Sequence, residues 1–199
     1  MSNEDVKRNR AESLVGAFFE VNDGMIEVIQ YNSNKRVLVR FCESGYTTFC
    51  TMINIRAKQV KDKFKKTVCG VGYIGDGCTV KGDERAKLYH VWRNMLIRLT
   101  DRVKFPTYAT VELDPSWYCF SNFANDVIRL PGYERFMTEK EISLDKDILS
   151  GERKRYSPET CQWISKGDNT RIMVQEREQK KRNQLKQRNQ YENVHQVQW

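Results

Sequence analysis

The stretch LDKDILSGERKRYSPETCQWISKGDN, residues Leu144–Asn169, decides the fold of this chain. Apolar and charged residues alternate over Ile142–Leu149, which predicts a short strand. A basic loop over residues 152–155 leads to a second short strand at Cys161–Ile164. Ser165 is suited to cap a helix that begins directly after it. The predicted order is therefore strand, basic loop, strand, helix.

Upstream of this stretch, residues 14–55 have the pattern of a small antiparallel sheet. Short runs rich in β-branched and aromatic residues are separated by turn signals at Asn22–Gly24 and Asn32–Asn34. The last run of this kind is Tyr46–Ile55. These features predict a β-meander of three or four strands.

Two helices are predicted between the sheet and the opening stretch. Apolar residues recur at helical spacing over Glu84–Asp101 and again over Trp117–Ile128. The final segment, Arg171–Trp199, contains no Gly or Pro and is rich in Gln, Asn, Lys and Arg. It predicts an exposed helix that frays into a polar tail. The fold class is therefore predicted to be α+β.

The positive charge of the chain favours an anionic partner. The formal net charge is +8, which is typical of proteins that bind nucleic acid, a membrane surface or an acidic protein. The densest positive run is 56–66, with six Lys or Arg residues and a single Asp. Its alternative interpretation is a solvated, charged linker. The predicted nucleic-acid contacts in this run are Arg56, Lys58, Lys61, Lys63, Lys65 and Lys66.

Several other patterns exclude classes of function. No run has the length and composition of a membrane span, and the first residues lack the apolar segment of a secretory signal, so a cytoplasmic protein is expected. The six cysteines form no Cys-x-x-Cys pair, which disfavours a zinc ribbon. A GxGxxG pattern at Gly70–Gly75 is followed by further loop residues rather than a helix, so a glycine-rich surface loop is preferred to a dinucleotide site.

Together these segments resemble a known family. The carrying residues are GVGYIGDG (70–77), Tyr89-x-x-Trp92-x-x-Met95-Leu96, Trp117-x-x-Phe120-x-x-Phe123, LDKDIL (144–149) and YSPETC (156–161). In this order they resemble phage-type HNH endonucleases, which have a ββα-metal core and a small β-module. The resemblance implies a β-rich DNA-binding module at 14–66 and a degenerate HNH-like core at 67–170. The polar, charged composition of the flanking segments predicts a flexible arm at 1–13 and a basic helix or tail at 171–199.

The same resemblance implies which residues would carry chemistry. Asp145, Lys146 and Asp147 occupy the place of the family's His-containing pair, and the chain's two histidines lie elsewhere. Asp145 and Asp147 are expected on one face of the strand. With Asn169 and the neighbouring Asp168, they would hold one Mg²⁺ or Mn²⁺ ion. The loop that should supply an Asn instead contains Arg153, Lys154 and Arg155, which would contact phosphate.

Three functions follow from these features as hypotheses. The first is a metal-dependent endonuclease that cuts double-stranded DNA in the cytoplasm. The second is an inactive protein on the same scaffold, which binds DNA or a host enzyme that processes DNA or RNA. The third is RNA or ribosome binding through the basic, Gln- and Asn-rich tail.

Overall fold

The computed structural model describes residues 13–77, 79–151 and 153–196, and the predicted arm lies almost entirely outside them. These residues form two compact units. The first runs to Thr79 and includes Cys119–Ser121; the second comprises Val80–Tyr118 and the chain from Asn122 onward. The glycine-rich segment 67–79 thus belongs with the N-terminal unit. Within the described chain, no helix combines the length and apolar character needed to cross a membrane.

The first unit is a four-stranded antiparallel sheet in the order β1-β2-β3-β4, which confirms the predicted β-meander. The strands are β1 (Phe18–Val21), β2 (Gly24–Ser33), β3 (Arg36–Phe41) and β4 (Thr47–Cys50). Alternate residues of the strands point to one face, where they form an apolar core. The buried members of that core are Val21, Ile26, Val28, Val37, Val39, Phe41, Met52, Ile55 and Val60.

The predicted fourth strand is too long at its C-terminal end. Residues Met52–Arg56 form a short helix, α1, instead of continuing β4. The Thr51 side chain accepts a hydrogen bond from the backbone N–H of Asn54 at 3.1 Å, which caps the helix. Met52 and Ile55, three residues apart, are both buried by the helical turn. The β-rich composition of this run was therefore overridden by a cap and by packing.

The GxGxxG segment is a loop, as expected. Gly75 has a φ of +80°, and a Cβ atom there would overlap the Sγ atom of Cys119. Gly75 therefore meets two requirements that only glycine satisfies, a left-handed backbone and a close approach. The first long helix, α2 (Asp83–Thr100), begins only after this loop. The glycine at position 75 is thus explained by the backbone conformation and packing of the loop.

The second unit is built around α2 and the helices that follow it. The sequence predicted α2 to within one residue at each end, and its buried residues are Leu88, Trp92, Met95 and Leu96. The second predicted helix is divided into a 3₁₀ turn at Pro115–Tyr118 and α3 (Phe120–Val127). The short strand β5 (Glu112–Leu113) and the short helix α4 (Tyr133–Thr138) complete this region.

The C-terminal part of the second unit has the predicted strands and helix in order, but it also contains a short strand at Arg155–Tyr156 where a loop and a turn were predicted. Its elements are β6 (Ile142–Asp145), β7 (Arg155–Tyr156), β8 (Gln162–Ser165) and α5 (Lys166–Gln196). Strands β6 and β8 pair antiparallel, and β7 pairs with β5 in parallel. The chain is therefore a mixed α and β structure in which two antiparallel strands lead directly into a long helix.

Trp163 of β8 anchors the antiparallel pair of β6 and β8 in the core of the second unit. Its indole N–H donates to the carbonyl oxygen of Val127 at 2.8 Å, and its ring stacks on Phe136 with centroids 3.9 Å apart. Its backbone lies so close to Gly132 that a Cβ atom at that position would overlap the Trp163 carbonyl oxygen. Gly132 also has a φ of +84°, so both the left-handed backbone and the clash with Trp163 disfavour any side chain at this position.

Candidate functional site

The end of β6 and the first turn of α5 bring Asp145 and Asn169 together. These residues are 24 positions apart, and the Asn169 Nδ2 donates to Asp145 Oδ1 at 3.0 Å. The contact arises because β8 returns beside β6, with Asp145 opposite Gln162, and the helix begins immediately after β8. The sequence left open whether Asp145 and Asn169 meet, and the structure brings them into contact.

Asp145 also ends its strand. Its Oδ2 accepts hydrogen bonds from the backbone N–H groups of Asp147 at 3.0 Å and Ile148 at 3.1 Å. A short acidic side chain that satisfies the next amide donors in this way favours a turn over continued strand pairing. The predicted strand Ile142–Leu149 was thus wrong beyond Asp145, and Asp145 and Asp147 do not share the face of one strand.

Asn169 contributes an oxygen that has no internal partner. Its Oδ1 is buried and forms no hydrogen bond with any described residue, whereas its Nδ2 is bound to Asp145. An unsatisfied buried carbonyl costs about 1–3 kcal/mol. Asn169 and Asp145 both line a cavity of about 330 Å³. The residue that carries the orphan oxygen thus lines a cavity with room for a small ligand or a cation.

Lys146 and Asp147 form an ion pair beside this cavity. The Lys146 side chain is only 7% exposed, and its Nζ lies 2.9 Å from Asp147 Oδ1. Lys154 lies 3.0 Å from the same oxygen. Burial by itself would raise the pKa of Asp147, but the hydrogen bonds from the two lysines outweigh it and lower the pKa below its usual value. Asp147 is therefore ionised at neutral pH and is a weak proton acceptor.

Asp168 is not part of this arrangement. Its backbone N–H donates to Ser165 Oγ at 3.0 Å, and the Ser165 hydroxyl donates to Asp168 Oδ2 at 2.8 Å. This reciprocal pair caps the start of α5, as the sequence indicated. Neighbouring helix residues project about 100° apart, so Asp168 and Asn169 point in different directions. The structure therefore places Asp168 with the cap and not with Asp145.

The basic loop between the strands is bound to internal acids. Arg153 donates to both carboxylate oxygens of Glu112 at 2.9–3.1 Å. Arg155 contacts Asp114 at 2.7 Å, and Lys154 contacts Asp147. A phosphate at this loop would compete with three carboxylates.

The predicted nucleic-acid run in the first unit is likewise partly neutralised. Lys58 lies 2.8 Å from Glu20, Lys61 lies 3.5 Å from Asp23, and Lys63 lies 3.2 Å from Asp76. Lys65 donates to the backbone carbonyl of Asn22 at 3.4 Å. Arg56 and Lys66 have no ion-pair partner among the described side chains. The run therefore carries less free charge than its composition suggested.

The exposed cations of α5 form a second basic surface, which the site prediction omitted. Residues 177–188 contain six Lys or Arg and one Glu, a density comparable to that of 56–66. Five cations of this segment have no carboxylate partner among the described side chains, namely Arg177, Lys180, Lys181, Arg182 and Lys186. A groove of about 480 Å³ along this helix is lined by Arg177, Lys180 and Lys154, and it shares Asp147 with the cavity beside Asp145.

The donor set at Asp145 and Asn169 is compatible with a hard divalent cation. Mg²⁺ is commonly bound by one or two carboxylates while keeping several waters, and it prefers oxygen ligands. Asp145 offers a carboxylate and Asn169 offers the unpartnered amide oxygen. A richer cluster is absent from the described part of the chain, where no three His, Cys, Asp or Glu side chains come together as a metal site. The arrangement thus fits one weakly held metal ion.

Comparisons with known proteins identify no relative. No protein family model matches the chain, and no curated protein or solved structure matches it either.

Proposed function

We propose that this chain is an HNH-like DNA endonuclease that hydrolyses phosphodiester bonds with one Mg²⁺ or Mn²⁺ ion bound at Asp145 and Asn169. One observation carries the proposal. A strand end and a helix start, 24 residues apart, hold a carboxylate and an amide in contact, while the buried amide oxygen bonds to no residue that the structure describes. The HNH resemblance implies two strands followed by a helix, and the antiparallel pair β6 and β8 that leads into α5 supports the proposal.

The residues around the site would have separate roles in metal binding and in the orientation of water. Asp145 and Asn169 would bind the cation, and their positions are held by the backbone hydrogen bonds of the turn and by the start of α5. The bound metal would supply Lewis-acid stabilisation of the leaving oxygen and would lower the pKa of a bound water. Asp147 would orient water as a hydrogen-bond acceptor, since its lowered pKa makes it a poor base.

The DNA itself would be bound chiefly through α5. Exposed lysines and arginines that lack internal partners release phosphate counterions most effectively. Five cations of α5 have no carboxylate partner among the described side chains, and the groove along this helix shares Asp147 with the site cavity. The predicted contacts at residues 56–66 and 153–155 are proposed as secondary, because many of these cations already pair with acids.

The test is nicking of supercoiled plasmid with Mg²⁺ or Mn²⁺. Asp145→Asn retains a hydrogen-bond acceptor for the turn but removes the charge that would bind metal. It should lower the nicking rate by about 10²-fold or more, because the Lewis-acid stabilisation that the metal supplies is worth several kcal/mol and each step of about 1.4 kcal/mol is tenfold in rate. Asp101→Asn, a change of the same kind at the exposed end of α2, should leave the rate unchanged. Melting curves of both variants report whether each is folded. Equal rates for wild type and a folded Asp145→Asn would contradict the proposal.

A second candidate is a non-catalytic DNA-binding protein on the same scaffold. It is favoured by the neutralisation of Asp147 by two lysines and by the positions of both histidines outside the opening stretch. This candidate predicts that wild type binds duplex DNA with strong salt dependence but nicks no plasmid with either metal. Nicking that depends on Asp145 would exclude it.

A further inference from the structure

The cavity beside Asp145 also contains an unusual arginine. The lining of the cavity includes Arg98 of α2, Lys146, Tyr108 and Tyr156. The Arg98 Nε atom is buried and forms no hydrogen bond with any described residue. Described carboxylates all lie beyond ion-pair distance from this guanidinium. A buried, unpartnered donor of this kind is costly, so it calls for an explanation.

Two cations of the cavity lining contact the same aromatic ring. The Arg98 guanidinium carbon lies 5.6 Å from the centre of the Tyr108 ring, and Lys146 Nζ lies 5.2 Å from the same centre. Lys146 Nζ also lies 5.4 Å from the Tyr156 ring centre. Cation–π contacts stabilise each of these partly desolvated cations but satisfy none of the Arg98 N–H donors.

The acidic groups nearby are already engaged. Asp145 accepts three hydrogen bonds, and Asp147 pairs with both Lys146 and Lys154. Burial raises the pKa of Tyr156, so its phenol is neutral and adds no negative charge. The group thus holds the cations Arg98, Lys146 and Lys154 against only two carboxylates. The excess positive charge lies at Arg98.

We propose that this cavity binds a phosphate oxyanion, and that Arg98 is its principal donor. A guanidinium matches a tetrahedral oxyanion better than an ammonium does, because its N–H groups point in fixed directions. A volume of about 330 Å³ leaves ample room for one phosphate group. The inference rests on the proposed function only in taking this oxyanion to be a backbone phosphate of DNA, held next to Asp145 and Asn169.

The experiment measures thermal stability of the full chain in EDTA with added inorganic phosphate, against chloride at equal ionic strength. At phosphate ten times its Kd, wild type should melt about 3–6 °C higher. Arg93→Gln, which removes an exposed arginine from the same helix, should show the same rise. Arg98→Gln should show none, and Arg98→Lys should show a smaller rise because the charge remains but the fork is lost.

An equal rise for Arg98→Gln, or no rise for wild type, would overturn the phosphate site. Competition then identifies the source of the anion. Inorganic phosphate should displace duplex DNA from wild type and not from Arg98→Gln. Phosphate and DNA that bind without competition would overturn the backbone assignment. A phosphate response that depends on Arg98 in a protein that nicks no plasmid would leave this site intact while the endonuclease proposal fails.

Discussion

Replacing three exposed cations of α5 by glutamine should weaken DNA binding and reduce its dependence on salt. The residues are Arg177, Lys180 and Lys181, which share one face of the helix and have no carboxylate partner among the described side chains. Each phosphate contact contributes about 0.9 to the slope of log K against log salt. Three contacts therefore contribute about 2.7, so between 50 and 200 mM salt wild type should lose about 40-fold more affinity than the variant.

The assay is fluorescence anisotropy of a labelled duplex, titrated at several salt concentrations without divalent metal. The matched control replaces three paired lysines of the first unit by glutamine, namely Lys58, Lys61 and Lys63. Because these lysines already contact acids, the slope should fall by less than about 1. A control that reduces the slope as much as the α5 variant would refute the reasoning, and so would an α5 variant with an unchanged slope.

Three further predictions concern stability and reactivity. Gly132→Ala should destabilise the chain by more than about 2 kcal/mol in urea unfolding, because the backbone there is left-handed and an added Cβ would clash with Trp163. Gly151→Ala should cost about 1 kcal/mol, because its backbone is left-handed but no atom lies near an added Cβ. Asp147→Asn should lower stability at pH 7 but not at a pH below the folded pKa. Burial opposes but does not cancel the lysine contacts that lower this pKa, so the carboxylate's contribution is present above its unfolded pKa and is lost as the pH falls through the folded one. Burial raises the pKa of the Cys161 thiol to about 12, so at pH 8 iodoacetamide should modify the exposed Cys42 and leave Cys161 intact in the native protein, as mass spectrometry would report.

Local patterns predicted most of the elements. The β-meander, the bounds of α2 and the start of α5 depend on residues within a few positions of one another, where periodicity and capping act. The end of β6 was missed because the alternation continues past Asp145, and only the bonds of that side chain to the next two amides show the turn. Met52–Arg56 was missed because a Thr cap overrode β-rich composition.

The candidate site divides in the same way. From the sequence alone came the order of strand, loop, strand and helix, together with four candidate metal ligands, Asp145, Asp147, Asp168 and Asn169. The three-dimensional fold separates these four: Asn169 contacts Asp145, Asp168 bonds to Ser165 at the start of α5, and Asp147 is held by two lysines.

The location of free positive charge was decided at the tertiary level as well. The run 56–66 and the α5 segment look equally basic along the chain. Lys58 meets Glu20 across 38 residues, and Arg153 meets Glu112 across 41. Coulomb interactions depend on distance in space, which composition does not encode. The folded chain therefore pairs three lysines of the run that the sequence emphasised, whereas five cations of α5 have no carboxylate partner among the described side chains.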